Sequence, residues 1–324
     1  MHGFRSALST LVMFCTGVVG TVPAHAATYP DHPIRLIIPF APGGGNDFIG
    51  RFIARQLSTI LGGTVVVENK PGAGGMLGVN DGVRAPADGY TLTLVSLSYT
   101  VNPALYKLSY DPVTGITPIV QISQGPLVMV ATPSLPVKNV QELIALAKSE
   151  PGKINYASSG VGSIIHLASA YFASMAGIEL THVPYKGGGP AMTDTLAGRT
   201  QLFFSSIPEA LPMIKAGKLK ALAITTPQRN ATLPDVPTFA ESGLPNYDVT
   251  LWHGLIGPKG MPQDVVMKIN QAVQKALKTP EAIKTLRNSG FTPASGTPDQ
   301  FRDNIADGVR LWGKVAHDAG VKTE

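Results

Sequence analysis

Residues 34–67 read IRLIIPFAPGGGNDFIGRFIARQLSTILGGTVVV, and this stretch decides the fold. The apolar run Ile34–Pro39 is nearly continuous, as in a strand that is buried on both faces of a parallel sheet. A glycine turn follows, and Asn46 is placed to cap a helix. Apolar side chains then recur at helical spacing until Gly62, and Val65–Val67 predicts the next strand. The order strand, glycine turn, helix, strand predicts a βαβ unit.

The same alternation of short apolar runs and amphipathic helices continues through most of the chain. The 324 residues contain neither a tandem repeat nor a low-complexity linker, and their number favours two domains. We therefore predict an α/β protein whose domains are joined where strands cross between them, near Gln124-Gly125 and near Thr226-Pro227. The first domain would comprise residues 27–124 plus 227–324, and the second residues 125–226.

The N-terminus has the pattern of a secretory signal peptide. Arg5 is the only lysine or arginine before residue 27, an apolar run from Ala7 to Val22 follows, and Ala24-His25-Ala26 matches a small-x-small cleavage site. The run is short and glycine-containing, which disfavours the alternative of an uncleaved membrane anchor. We predict that residues 1–26 form a signal peptide cleaved near Ala26 and that the mature protein is periplasmic.

Charge and cysteine content exclude several classes of protein. The formal net charge of +5 is too small and too scattered for a nucleic-acid-binding protein. Cys15, the only cysteine, lies in the predicted signal peptide, so the mature chain must fold without a disulfide. Phe14 precedes it where a lipobox requires a small residue, which argues against lipidation. No His, Cys or Asp cluster has the spacing of metal ligands, and we predict neither a metal nor another cofactor.

Four glycine clusters are the candidates for a binding site. They lie at residues 42–45, 71–75, 158–163 and 186–190, and at least three of them join a strand to a helix. Glycine in such a turn lets a ligand approach the backbone N–H groups of the helix start, which bind anions together with the helix dipole. Any one cluster would also be explained as a tight turn. The four together favour an anion site at one edge of the sheet.

Nucleotide and hydrolase motifs are missing from the sequence. The chain has no Walker A motif, and Phe48 stands where a dinucleotide fingerprint requires glycine. No G-x-S-x-G elbow is present. Ser163 and His166 share a helix face, but no acidic residue nearby in sequence could orient the histidine, so packing or capping is favoured for His166. We predict that the protein is not an enzyme, with a secreted hydrolase as an alternative.

Longer motifs, spread over the mature sequence, resemble those of one family. They are PFAPGGGND at 39–47, VVVENKPGAGG at 65–75, DGYTL at 88–92, NPALY at 102–106, SGVGSIIHL at 159–167, VPYKG at 183–187, GKLKALA at 217–223 and LPDVPT at 233–238. In these segments the chain resembles the substrate-binding receptors of tripartite tricarboxylate transporters, the Bug or TctC family.

The resemblance implies a type II periplasmic binding protein fold, with two α/β lobes, a hinge and an interlobe cleft. It implies a solute-binding protein that captures a small carboxylate with backbone amides, small hydroxyls and waters, without an obligatory arginine. It also implies a partner, the membrane subunits of a tripartite tricarboxylate transporter. We expect a monomer; a receptor that signals to a membrane partner instead of feeding transport is the alternative.

The predicted binding site combines the glycine turns with polar residues at neighbouring strand ends. Its members are Phe40, Ala41, Gly43, Gly44, Asn46, Asp47, Ser96, Ser98, Ser158, Ser159, Gly160, Gly162, Ser163, His166, Phe204 and Ser205. Ser205 stands where many relatives in the resembled family carry an aspartate. Asp47 is the one acid of the predicted site, and its place in the first helical turn gives it a structural role there. With no other acid to balance an ammonium group, we expect the ligand to be a carboxylic acid without an amino group.

Overall fold

A computed structural model describes residues 29–321, so the predicted signal peptide lies outside the described residues. The initial βαβ unit is confirmed: strand β1 (Ile34–Ile38) runs parallel to β2 (Val65–Asn69), and helix α1 (Gly45–Leu61) connects them. The predicted cap is wrong, because the N-cap is Gly44 and Asn46 lies inside the first turn.

The first lobe contains the β1 strand and most of the C-terminal third of the chain. Its sheet has the spatial order β2, β1, β3 (Thr91–Ser96), β9 (Thr250–Pro258) and the first part of β4 (Ile116–Ala131), with β10 (Thr292–Pro293) paired to β4. Its helices are α1, α2 (Met76–Val83), α3 (Ser98–Leu105), α8 (Gln263–Leu277), α9 (Pro280–Asn288) and α10 (Pro298–Asp318).

The second lobe is built on the other half of β4. Its sheet adds β7 (Leu202–Ser206), β5 (Asn155–Ser158) and β6 (Thr181–Pro184) in that spatial order, and β8 (Lys220–Ile224) pairs with β4 as well. Its helices are α4 (Val140–Ser149), α5 (Ile164–Ala176), α6 (Gly188–Leu196) and α7 (Ile207–Lys215). Within residues 29–321, no helix is both long and apolar enough to cross a bilayer.

Strand β4 carries the chain from the first lobe to the second. Its residues from Ile116 to Pro126 pair with β9, whereas its residues from Leu127 to Ala131 pair with β7 and β8. The crossing therefore lies at Pro126–Leu127, two residues after the predicted position.

We propose that the chain returns to the first lobe later than the sequence indicated. Asn230 and Thr232 hydrogen-bond to the carbonyls of Gly290 and Arg287 in the first lobe, but the apolar side chains that follow them pack on the second. The ring centroid of Phe239 lies 5.4 Å from that of Phe172 and 5.8 Å from that of Phe204. The Tyr247 hydroxyl donates to the Ala168 carbonyl at 2.8 Å. We therefore propose residues 127–249 for the second lobe, in place of 125–226, and residues 29–126 plus 250–321 for the first.

Strand β9 is the main element that the sequence analysis missed. It lies between β3 and β4 in the sheet and is buried from Leu251 to Pro258. Its sequence TLWHGLIGP contains glycine, histidine and proline, which are poor markers of a strand. Long-range pairing and burial decide its conformation. Local chemistry decides the start of α10, where the sequence T-P-D-Q lets Thr297 and Gln300 form a capping box.

The assignment of residues 226–249 to the second lobe can be tested by mutation. Phe239→Ala should lower the free energy of unfolding by about 3–5 kcal/mol, because it removes a ring that is 0% exposed. Leu311→Ala, at a side chain that is 57% exposed, should change it by less than about 0.5 kcal/mol. Urea unfolding measures both, and equal small effects would contradict the described packing.

Candidate ligand-binding cleft

Four helices begin at the cleft between the lobes. Helix α1 follows β1 in the first lobe, and α5, α6 and α7 follow β5, β6 and β7 in the second. Residues from each of these helix starts line one narrow cavity, namely Gly44 and Gly45 for α1, Ile164 for α5, Gly188 for α6 and Ser206 for α7. The carboxyl ends of parallel strands thus meet at the cleft, where open α/β sheets bind ligands.

Three of the four helix starts have no side-chain cap. The N-caps Gly44 and Gly187 have no side chain to offer, and the Ser206 hydroxyl makes no capping hydrogen bond. Helix α5 differs, because Oγ of Ser163 accepts from the N–H of His166 at 3.2 Å. An uncapped first turn presents N–H donors at the positive end of the helix dipole. The helix starts that meet at the cavity are therefore suited to an anion.

Apolar and neutral polar groups make up most of the cavity wall. The apolar side chains are Phe40, Leu127, Ile164, Ile165 and Leu251, and the polar ones are Asn46, Ser159, Ser206 and Glu209. None of the described residues that line it is a lysine, arginine or histidine. An anion bound here would be held by N–H groups and neutral side chains.

Buried polar atoms at the cleft lack hydrogen-bond partners within residues 29–321. They include Oδ1 of Asn46 and Oε1 of Glu209 in the cavity, and Oγ of Ser96 at the end of β3. An unpaired buried polar atom costs about 1–3 kcal/mol. Such atoms mark positions where a ligand or a water molecule would complete the hydrogen bonding.

The lobes touch each other around this cavity. The Ala41 N–H donates to the Lys186 carbonyl at 3.1 Å, and the Ile164 N–H donates to Oγ of Ser98 at 3.0 Å. A Cβ atom added to Gly44 would lie 3.3 Å from the Cα and N atoms of Gly188. The structure therefore has a closed cleft, and glycine permits the close approach of the two backbones.

Comparison with known proteins identifies the family. The sequence profile described as tripartite tricarboxylate transporter family receptor, TctC, matches residues 49–321. The chain belongs to this family. It is 35% identical to protein BugT of Bordetella pertussis over 318 residues, which are 97% of this chain and 98% of BugT.

Two solved structures resemble this TctC chain closely. R. palustris Rpa4515 with adipate gives a TM-score of 0.88 at 34% identity, covering 91% of this chain and 100% of that one. MatC from Rhodopseudomonas palustris with bound malate gives 0.85 at 30% identity, covering 89% and 99%. The predicted family and the two-lobe periplasmic binding protein fold are thus confirmed.

Ten of the predicted site residues lie at the cleft of this TctC receptor. Phe40, Gly44, Asn46 and Ser159 line the cavity. Ser96, the last residue of β3, has a buried hydroxyl without a partner among residues 29–321 and is adjacent in sequence to the segment of Ser98 that touches the second lobe. The other five make contacts between the lobes, and they are Ala41, Gly43, Ser98, Gly160 and Gly162.

Asp47 has a structural role in the first turn of α1. Its carboxylate accepts from Arg51, from Asn69 and from the Gly43 N–H, at 2.9 to 3.1 Å. Burial acts to raise the pKa of Asp47, but the hydrogen bonds from Arg51 and Asn69 outweigh it and hold the pKa below its usual value. The ionised side chain stabilises the loop that positions Gly43.

Ser158, Ser163 and His166 belong to a buried network behind the cavity. Oγ of Ser158 contacts Nε2 of His182 at 2.6 Å, and the rings of His166 and His182 stack with centroids 3.9 Å apart. Burial lowers the pKa of His166 to about 4 and that of His182 to about 3. Within the described part of the chain neither ring is hydrogen-bonded to a carboxylate, so no Ser–His–Asp triad forms. His166 has the packing and capping role that the sequence favoured.

Phe204 does not contact the cavity. Its side chain is 1% exposed and packs on Phe172 and Phe239, so its assignment to the site is wrong. Because successive residues of a strand face opposite sides of the sheet, Ser205 points away from the face on which Phe204 packs. Oγ of Ser205 donates to Oε2 of Glu209 at 3.0 Å, so Ser205 acts on the cavity through Glu209.

Glu209 is the cavity residue that matters most among those the sequence analysis missed. It lies in the first turn of α7, and the spacing Ser206-Ile207-Pro208-Glu209 has the S-x-x-E pattern of a helix start, which could have located it. The expectation that the cleft holds no acid besides Asp47 is therefore wrong. The other missed lining residues are Gly45, Leu127, Ile164, Ile165, Gly188, Ser206 and Leu251.

Closure of the cleft can be blocked with one methyl group. A Cβ atom on Gly45 would lie 2.6 Å from Oγ of Ser206 across the cleft, so Gly45→Ala should weaken binding of the acids named below at least tenfold. A helix accepts alanine readily, so the fold should remain. Gly313→Ala in α10, where the methyl meets nothing within 4 Å, is the matched control. Isothermal titration giving equal affinities for both variants would place the ligand elsewhere.

The buried histidines predict that stability falls on acidification. His166 is neutral in the folded protein down to pH about 4 but gains a proton near pH 6.5 when unfolded. Between pH 6.5 and about 4 the unfolded state therefore binds more protons than the folded state. The free energy of unfolding is unaffected by His166 above pH 6.5 and falls by up to about 1.4 kcal/mol per pH unit within this window. His166→Asn, whose Oδ1 can accept from Gly162, should make the fall shallower, and His317→Gln at an exposed site should not. Urea unfolding at pH 7 and pH 5 measures the slopes; identical slopes would contradict a neutral His166.

Proposed function

We propose that this TctC-family receptor is a periplasmic solute-binding protein that captures a small carboxylate between its lobes and delivers it to the membrane subunits of a tripartite tricarboxylate transporter. The observation that carries the proposal is the convergence of three uncapped helix starts on one cavity. The signal-peptide pattern of residues 1–26 supports export.

A carboxylate matches the cavity in charge and in hydrogen bonding. Its two oxygens only accept hydrogen bonds, and the helix starts supply donors. Each helix dipole stabilises a nearby negative charge by about 0.3–1 kcal/mol, and by more where the site is partly buried. A cationic amine would face the same dipoles with the wrong charge.

The apolar walls indicate an organic acid with a hydrocarbon portion. Phe40, Ile164 and Leu251 cover part of the cavity and would remove such a portion from water. Two relatives of known structure hold adipate and malate, which are small aliphatic acids. We infer that this receptor takes an acid of the same general class.

Capture would proceed by closure of the lobes. Both lobes contribute to the cavity, Gly44 and Asn46 from the first and Gly188 and Ser206 from the second. A ligand that bridges them binds the closed state better than the open one and shifts the population toward it. The strand crossing at Pro126–Leu127 is the hinge that such a motion requires.

A thermal-shift panel at pH 7 tests the ligand class. We expect at least one of adipate, malate, pyruvate and benzoate to raise the melting temperature, and glucose and putrescine to leave it unchanged. At a hundred times Kd, a ligand adds about 2.7 kcal/mol of stability, which is a shift of several degrees. The Gly45→Ala variant, with an affinity at least tenfold weaker, should show at most about half of that shift with the same acids. A shift with glucose or putrescine alone would overturn the carboxylate assignment.

A further inference from the structure

Glu209 stands at the border between the cavity and a larger groove on the outer face of α1. Its Oε2 accepts from Oγ of Ser205 at 3.0 Å and from Oγ of Ser206 at 3.5 Å. Its Oε1 is buried and has no hydrogen-bond partner among residues 29–321. A Cβ atom on Gly188 would lie 2.7 Å from Oε1, so the glycine makes room for the carboxyl group against the start of α6.

The positive charges nearest to Glu209 lie in the outer groove and not in the cavity. From α1, Arg51 and Arg55 line that groove together with Asp47 and Glu209; Arg51 pairs with Asp47 at 2.9 Å, and Arg55 forms no ion pair among residues 29–321. Before α6 comes Lys186, which is exposed and lines a different groove. The remaining neighbours in the cavity are uncharged: Ile164 and Ile165 from α5, Leu127 from β4 and Leu251 from β9.

A buried carboxylate without a cation is costly, so the neutral acid is favoured. Burial raises the pKa of Glu209 to about 8, although the hydrogen bonds from Ser205 and Ser206 oppose this. Oγ of Ser205 lies 3.0 Å from Oε2, and its single proton can go either there or to the Ser206 carbonyl at 3.1 Å. Oε1 is buried without a partner among residues 29–321, so it is the oxygen that can carry the proton of the neutral acid toward a ligand. At neutral pH the cavity therefore holds one further donor beside the helix N–H groups.

We propose that Glu209 contacts the bound ligand as the neutral acid and that its Oε1–H donates a hydrogen bond to the ligand carboxylate. The Glu209 carboxylic acid and the ligand carboxylate then share one proton. If Glu209 is ionised before the ligand binds, it takes up this proton from solvent on binding. The inference rests on the proposed function and names a specificity-determining residue for it.

The arrangement selects among acids. A neutral Glu209 does not balance an ammonium group, so an amino acid would carry an unpaired buried charge into the cavity. An acid without an amino group carries none. The preference for acids without an amino group, expected from the sequence, is thus retained for a different reason. Position 205 holds a serine and no acid, but Glu209 supplies an acid in its neutral form.

The test is isothermal titration of the tightest acid of the panel (adipate, malate, pyruvate or benzoate) between pH 6 and pH 9. In the wild-type protein only molecules with protonated Glu209 bind, so the affinity should fall about tenfold from pH 7 to pH 9. Glu209→Gln keeps a donor of the same shape and cannot ionise, so its affinity should stay within about twofold across the range. Glu281→Gln, which removes an exposed first-turn carboxylate from α9, should follow the wild type.

Glu209→Ala gives an independent result. It removes the donor, so binding at pH 7 should be about tenfold weaker than in Glu209→Gln, again without pH dependence. Melting temperatures of all variants report whether each is folded.

Three results would overturn the proposal. One is a pH-independent affinity in the wild type, and another is the same fall with pH in Glu209→Gln. The third is loss of binding in Glu209→Gln together with tighter wild-type binding of aspartate or glutamate than of the panel acids, which would show an ionised Glu209 paired with a ligand ammonium. These results leave carboxylate capture standing, whereas a wild-type protein that binds no acid at any pH overturns capture and the role of Glu209 together.

Discussion

Backbone against backbone across the cleft is the contact on which the closed structure depends. A Cβ atom on Gly44 would lie 3.3 Å from the backbone of Gly188, which is tight, and a Cβ atom on Gly45 would lie 2.6 Å from Oγ of Ser206, which is too close. Side chains at these positions would hold the lobes apart and would cover the N–H groups that the helix starts present. The same small residues therefore permit the close approach of the lobes and leave the N–H groups of the helix starts uncovered, as the proposed anion site requires.

The cavity obtains its attraction for anions from dipoles and not from charged side chains. The absence of cations from the described cavity lining affects the titratable groups nearby, because none of these groups can form an ion pair inside the cavity. Glu209 favours its neutral form, and His166 and His182 stay neutral behind the wall of the cavity. The ionised Asp47 is the exception, and it is satisfied by Arg51, Asn69 and a backbone N–H at the edge.

Strands β4 and β9 lie side by side where the chain passes between the two lobes. Residues Ile116 to Pro126 of β4 pair with residues Thr250 to Pro258 of β9. Only beyond Pro126 does β4 pair with β7 of the second lobe. A buried contact between Ser123 and His253, 3.1 Å apart, ties the strands together beside the crossing. The proposed closure of the lobes would therefore turn about the few residues where both strands leave the first sheet.

Local sequence determined the βαβ unit at residues 34–67, the capping box at Thr297, the glycine turns and the family, because period, caps and turn chemistry act over a few residues. Tertiary structure decided the rest. Strand β9 forms because it pairs with β3 on one side and with β4 on the other. We assign residues 226–249 to the second lobe because Phe239 packs there on Phe172 and Phe204. Phe204 and Ser205 are neighbours in sequence, yet one packs in the core and the other supports Glu209. The sequence could place an acid four residues beyond Ser205, but only the tertiary structure buries Oε1 of this acid in a cavity that contains no cation, and this burial raises the pKa of Glu209 to about 8.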